Sequence, residues 1–151
     1  MDDDGTLLPY LLAGAATVAS RWADEALRPY GVTTRQFGLL TQLQREPELS
    51  TSEIARQLGV SRQSTHEMIG QLEQAGYLRR TAGVDGRSRR IDLTSNAPHL
   101  ISRMSAAVGR VERRLTADLG DHEREALRLL LRRVLARATD DEAWLPTGGA
   151  R

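Results

Sequence analysis

Apolar residues recur every three or four positions along most of this chain, and one short stretch alternates instead. Leu8, Leu11, Leu12, Ala15, Val18, Trp22 and Ala26 make the first stripe, at the spacing of an amphipathic helix. Pro9 fits its first turn, where a missing N–H costs nothing, and Pro29-Tyr30-Gly31 closes it. A second helix opens at Thr33, with Gln36 three residues on, as a capping box requires. Phe37, Leu39, Leu40 and Leu43 form its apolar face. Ser50-Thr51-Ser52-Glu53 is a second capping box, opening a short helix with Ile54, Ala55 and Leu58 inward. Gly59 breaks that helix and Val60 packs behind the turn. Ser61 then caps a longer helix through Ala75, with Thr65, Met68, Ile69 and Leu72 on its buried side. A short helix, a glycine turn and a longer helix make a helix-turn-helix.

After Gly76 the period changes to two. Tyr77 to Thr81 reads as a strand, Ala82 to Ser88 as a loop and Arg89 to Leu93 as a returning strand, with Asp85-Gly86 as a turn signal. Arg89, Ile91 and Leu93 share one face of the returning strand, and Arg90 and Asp92 the other. Such a hairpin directly after a helix-turn-helix is a wing. Two more helical stripes follow: Leu100, Met104, Ala107, Val108, Val111 and Leu115, then Leu127, Leu130, Leu131, Val134, Leu135 and Ala138 beyond the Gly120-Asp121 break. Pro98 would cost a helix begun at Thr94 its first i→i−4 bond. The fifth helix is therefore expected to start late, with Asn96 as cap and Pro98 in its first turn. Residues 140–151 read as a flexible tail. The expected fold is mainly α: a winged helix-turn-helix lobe over 32–94, with a small β-hairpin wing. Residues 6–30 and 96–139 form a helical region whose aliphatic stripes can pack around a partner chain.

The chain has 151 residues, enough for a single domain with a real core. Aromatic residues are only 4% and cysteine is absent, so the core is aliphatic. Disulfides, thiolate metal sites and cysteine nucleophiles are excluded. A net charge of +1 points to no polyanion by itself. Its distribution does. Between residues 79 and 90, Arg79, Arg80, Arg87, Arg89 and Arg90 face Asp85 alone. A basic hairpin beside a helix-turn-helix favours phosphate contact over a merely solvated surface, and double-stranded DNA is the expected partner. Arg87 sits where a long planar head can enter a minor groove. Asp85 can hold that tip or serve as an ordinary turn aspartate. On the long helix, Ser61, Arg62, Gln63, Ser64, His66 and Glu67 lie on the face that would meet bases. Arg62 can read guanine or grip phosphate, and Gln63 can pair with adenine or stay solvated. His66 is a base or phosphate contact or a plain surface histidine. Glu67 would repel phosphate unless it accepts from cytosine or orients Arg62.

Other chemistry finds little support. His66, His99 and His122 fall on different elements, and no nucleophile motif, phosphate loop or paired carboxylates accompany them, so no enzyme and no cofactor are expected. Asp118, Asp121, His122 and Glu123 could hold zinc weakly. Helix capping and complementing the helix dipole is the plainer account, and no metal is expected. The longest uncharged run, Gly5 to Ser20, falls short of the ~18–20 residues that span a bilayer. The aspartates at positions 2, 3 and 4 are unlike the positive start of a secretory signal. A soluble, cytoplasmic protein with no membrane partner is expected.

The run Asp85-Gly86-Arg87-Ser88-Arg89-Arg90-Ile91-Asp92-Leu93-Thr94 resembles the wing signature of MarR-type regulators, D-x-R-x5-L-T. Thr51 to Leu78 is similar to their helix-turn-helix in length and spacing, and the likeness extends from about Tyr10 to Ala138. The resemblance implies a homodimeric winged-helix transcription factor, usually a repressor, gripping a pseudo-palindromic operator. Recognition helices reading successive major grooves stand about 34–36 Å apart. By position, Arg87 becomes the wing-tip minor-groove arginine and Asp85 its structural partner, while Ser61, Arg62, Gln63, Ser64 and His66 fall on the recognition surface. A small effector, an aromatic or amphipathic acid, often binds between dimer region and lobe in the family. Trp22, Phe37 and Met104 border that pocket here, although core packing is their plainer role. Two departures stand out: Glu67 replaces a commonly basic residue, and Ser95-Asn96-Ala97-Pro98 replaces a run of acids and glycine.

Overall fold

Helix after helix in this chain begins with a proline, which has no N–H to leave unpaired, or with a side-chain oxygen that accepts from an N–H of the first turn. A computed structural model describes residues 7–83, 86 and 89–139, with the backbone alone for Arg89 and Thr139. In chain order the elements are α1 (Leu8–Leu27), a 3-10 turn (Arg28–Tyr30), α2 (Thr34–Arg45), α3 (Thr51–Leu58), α4 (Arg62–Gln74), β1 (Leu78–Ala82), β2 (Arg89–Leu93), α5 (Ala97–Leu115) and α6 (Asp121–Thr139). Both expected capping boxes form. The Thr33 hydroxyl accepts from the Gln36 N–H at 3.2 Å, while the Gln36 carboxamide oxygen accepts from the Thr33 N–H at 2.9 Å. Ser50 and Glu53 do the same at 3.2 and 2.7 Å. Hydrogen bonds with the Ser50 side chain and backbone, aided by the nearby Arg56 charge, hold the Glu53 carboxyl below the usual range against a smaller effect of burial. At the turn between α3 and α4, Gly59 adopts φ +65° and donates its N–H back to α3, a left-handed cap that glycine takes without strain.

The hairpin is antiparallel, with Leu78 opposite Leu93 and Arg80 opposite Ile91. Tyr77, expected to begin the first strand, lies just before it and is buried. Its hydroxyl donates to the Tyr30 carbonyl at 2.7 Å, which ties the end of α4 to the 3-10 turn. Thr94 closes the other side, its hydroxyl donating to the Gly76 carbonyl at 2.7 Å and its N–H to Tyr77 at 3.0 Å. Helix α5 does start late, with Pro98 in its first turn. Asn96 occupies the cap position, but its backbone is already helical and its side chain caps nothing. The proline has removed one N–H donor, and the Ala97 N–H is met by the Thr94 carbonyl at 3.1 Å.

The core joins elements that the periodicity alone keeps apart. Leu27 of α1, Leu39 and Leu40 of α2, Ile54 of α3, Ile69 and Leu72 of α4, and Ile101 and Met104 of α5 are fully buried in one cluster. The winged lobe is thus completed by the end of α1 and the start of α5. Away from that cluster the stripes lie open: Leu8, Tyr10 and Leu11 are exposed, and no residue of α6 from 121 to 138 is buried. No described helix is long and apolar enough to cross a membrane. Residues 140–151, expected to be a flexible tail, lie outside the described residues.

The Gly59 conformation yields a direct test. Gly59→Ala forces a Cβ into the left-handed region at a cost of about 1–2 kcal/mol. Urea unfolding should show that loss as a lower midpoint with an unchanged slope.

Candidate nucleic-acid interface

Helix α4 buries Thr65, Ile69 and Leu72, and the same geometry turns Arg62, Gln63, His66 and Glu67 to solvent. The Thr65 hydroxyl donates to the Ser61 carbonyl at 3.0 Å, so a polar side chain sits in the core with its donor satisfied. Ser61 and Ser64 are both drawn into the cap. The Ser61 hydroxyl accepts from the Ser64 N–H at 3.0 Å and donates to the Ser64 hydroxyl at 2.9 Å. Glu67 meets Gln63 rather than Arg62, accepting from the Gln63 amide at 3.4 Å.

Two buried glutamines set how α4 and α3 lie on α2. The Gln36 amide donates to the Gln71 carboxamide at 2.6 Å, while its oxygen serves the α2 capping box. Gln57 of α3, also buried, accepts from Gln42 of α2. Breaking such a pair would leave a buried amide unsatisfied, which costs more than the bond contributes when made. These contacts join residues far apart in sequence, and no local pattern marks them.

The wing arginines divide by partner. Arg80 pairs with Glu73 at the end of α4 at 3.1 Å. Arg90 is held by Asp92 at 2.8 Å and by Glu48, in the loop before α3, at 3.5 Å. Burial would raise the Asp92 pKa, but the Thr81 hydroxyl, the Arg90 guanidinium and the nearby Arg79 charge outweigh it, and its carboxyl sits below the ordinary range. Arg79 is exposed beside this network. The expected tip residues Arg87 and Asp85 lie outside the described residues; Gly86 between them has φ +68°. Arg89 opens β2 opposite Ala82.

The three candidate pocket residues stand differently. Trp22 is half-buried on α1 and carries the Arg114 guanidinium 3.9 Å from its ring centroid. Phe37 is partly buried against the core, and Met104 has no exposed surface. None of the three lines the apolar groove of about 660 Å³ between α1, α5 and α6, whose walls include Ala19, Ala23, Val108, Val111, Leu115 and Leu131. At the α5–α6 junction the acids are engaged as caps and pairs. Glu123 accepts from the Gly120 N–H at 2.7 Å, and Asp121 pairs with Arg124. Among the described residues no three His, Cys, Asp or Glu side chains gather as a metal site would need.

The MarR family model matches residues 30–88, which takes in the helix-turn-helix and the hairpin's first strand and ends just before β2. Over 129 residues the chain is 35% identical to the HTH-type transcriptional repressor Rv2887 of Mycobacterium tuberculosis, covering 84% of this chain and 93% of that protein. The chain belongs to the MarR family. Its fold agrees with solved MarR structures. A structure of Rv2887 in complex with DNA superposes with a TM-score of 0.70 at 27% identity, covering 85% of this chain and 98% of that one. The transcriptional repressor CouR, bound to a 23-mer DNA duplex, gives 0.78 at 32% identity, covering 85% and 92%. A MarR protein is a DNA-binding regulator of transcription and not an enzyme.

The Asp92 network makes the wing sensitive to acid. A carboxyl held below its ordinary value of 3.8 stabilises the fold above that pH and loses its contribution as pH falls through its folded value. Asp92→Asn should therefore be less stable than the parent near neutrality. The gap should close below about pH 4, as read by thermal melts between pH 3 and 7.

Proposed function

We propose that this chain is a cytoplasmic repressor that grips a pseudo-palindromic operator as a homodimer and is released by a small acid. The observation that carries the reading is the exposed face of α4, presented from a buried apolar face and flanked by the arginine hairpin. Arg62, Gln63 and His66 meet the major groove, with Ser61 and Ser64 at the helix start, where backbone N–H groups suit phosphate. Arg87 enters the minor groove from the wing tip, Asp85 steadies the turn and Arg89 holds phosphate near the base of the hairpin.

Residues 6–30 and 96–139 supply the dimer arm, and 32–94 the reading lobe. Supporting the dimer, Leu8, Leu11, Leu127, Leu130 and Val134 stand exposed on α1 and α6, and an apolar surface of that extent marks an association site. The effector class is an aromatic or amphipathic acid. Rv2887 has been solved with salicylic acid, a structure 32% identical to this chain. Trp22 and Phe37 keep surface for such a ligand, and Met104 backs them from the core. The acid acts by binding more tightly to a lobe arrangement that does not fit DNA.

Sequencing of genomic fragments retained by the purified protein at two salt concentrations tests the whole reading. A few fragments sharing a two-fold motif, lost steeply as salt rises, are expected. Arg62→Ala and Arg87→Ala should each weaken operator binding by roughly 1–3 kcal/mol per lobe while light scattering still reports a dimer. A monomer in solution, or unchanged affinity in both variants, would overturn the proposal.

A further inference from the structure

Outside the DNA face, the joint between α1 and the lobe carries an unusually well-made contact. Asp24, exposed on α1, places one carboxylate oxygen 2.7 Å from the Thr34 backbone N–H and 2.7 Å from the Thr34 hydroxyl. Thr34 is the first residue of α2. The N-terminus of α2 is therefore capped twice, from within by Thr33 and from α1 by Asp24. A carboxylate at a helix N-terminus gains from both charge-assisted hydrogen bonding and the helix dipole. Ten residues separate the two partners. They run through the 3-10 turn and Gly31, whose φ of +65° reverses the chain. On the far side of the same link, the Tyr77 hydroxyl holds the Tyr30 carbonyl at 2.7 Å.

Neither contact is needed to fill the core. Asp24 is exposed, and water could satisfy the Thr34 N–H if the carboxylate were gone. What the contact does is tie the start of α2, and with it α3 and α4, to α1. We propose that Asp24 is a positioning residue for operator recognition. By latching the start of α2 to α1, it sets the separation of the two recognition helices, and so the half-site spacing that the dimer selects. This rests on the dimeric DNA-binding reading above. One base pair changes the spacing by about 3.4 Å and turns the half-site by roughly 35° about the duplex axis, so the direction in which each lobe leaves the arm decides which spacing both lobes can engage.

Selection from a DNA library in which two inverted half-sites are separated by spacers of varied length tests this. The parent protein should enrich one spacer length. Asp24→Ala should enrich the same half-site bases spread over two or more spacer lengths. Its affinity for the parent's preferred site should fall about tenfold, because a loosened pair of lobes has a lower effective concentration for the second half-site. Asp24→Asn keeps an acceptor oxygen and should restore the single spacing, while Thr34→Val, which removes only the hydroxyl, should fall between. An unchanged spacing in Asp24→Ala would overturn the proposal. So would loss of the half-site bases themselves, which would mean that Asp24 maintains the lobe rather than aims it. A parent protein that enriches no paired half-sites would instead overturn the function on which the proposal rests.

Discussion

The arrangement depends on one shared core. Leu27 comes from the end of α1, and Ala97, Ile101 and Met104 from the start of α5. All four lie among the residues that hold the helix-turn-helix together. Fully burying a leucine or isoleucine is worth about 1.5–3 kcal/mol, so these anchors bind the two long helices firmly to the lobe at one end only. The opposite ends of α1 and α5 run beyond the cluster. Helix α6, with no buried residue in its described span, has still less to rest on. A helix patterned with Leu127, Leu130, Leu131 and Val134 on one side needs that side covered, and the described residues leave it exposed. The same packing that completes the lobe thus leaves the arm unfinished, which is why the proposed dimer belongs to the fold's own energetics.

Charge plays two roles in the wing, and the structure separates them. Counting arginines treats Arg79, Arg80, Arg87, Arg89 and Arg90 as one basic patch. Yet Arg80 and Arg90 are held by Glu73, Asp92 and Glu48. Such exposed pairs contribute little stability each. Their value is orientation, since together they brace the hairpin against the end of α4 and the loop before α3. A hairpin held at both faces keeps its strands, Arg79 among their residues, in a fixed place. An unbraced hairpin would spread its cations over many positions and bind phosphate with little register.

Features set by neighbours in sequence were legible in the residues. The capping boxes at Thr33 and Ser50, the left-handed Gly59, the Ser61 cap and the bounds of β2 each follow from local rules, and each stands where those rules put it. Asn96 shows the limit of the same reasoning. Its place at the helix start was legible, but the backbone found the Thr94 carbonyl and left the side chain without a capping role. Contacts that aim the site escaped altogether. Gln36 with Gln71, Tyr77 with Tyr30, and Asp24 with Thr34 join separate elements. A glutamine or tyrosine looks the same in sequence whether its polar atom meets water or a distant helix. Tyr77 reads as a strand residue because its ring suits one, yet it lies just before β1. That its hydroxyl would reach back to the 3-10 turn depends on the packing of the whole lobe.

These long-range contacts are few, polar and partly open to water, which suits the task proposed for the joint. A lobe welded to the arm by apolar packing on every side would hold one spacing but could not be shifted by a ligand of ordinary affinity. Conversely, a lobe tethered by a flexible link would move freely and select no spacing. Here the apolar core anchors the lobe through Leu27 and the start of α5, and hydrogen bonds flank the link between α1 and α2. An effector can only move such an equilibrium by as much as its affinities for the two arrangements differ. Tenfold release from DNA therefore requires about 1.4 kcal/mol of difference. That is the scale of one such polar contact. Polar contacts beside an apolar anchor give a regulator both the rigidity to choose a site and the softness to leave it.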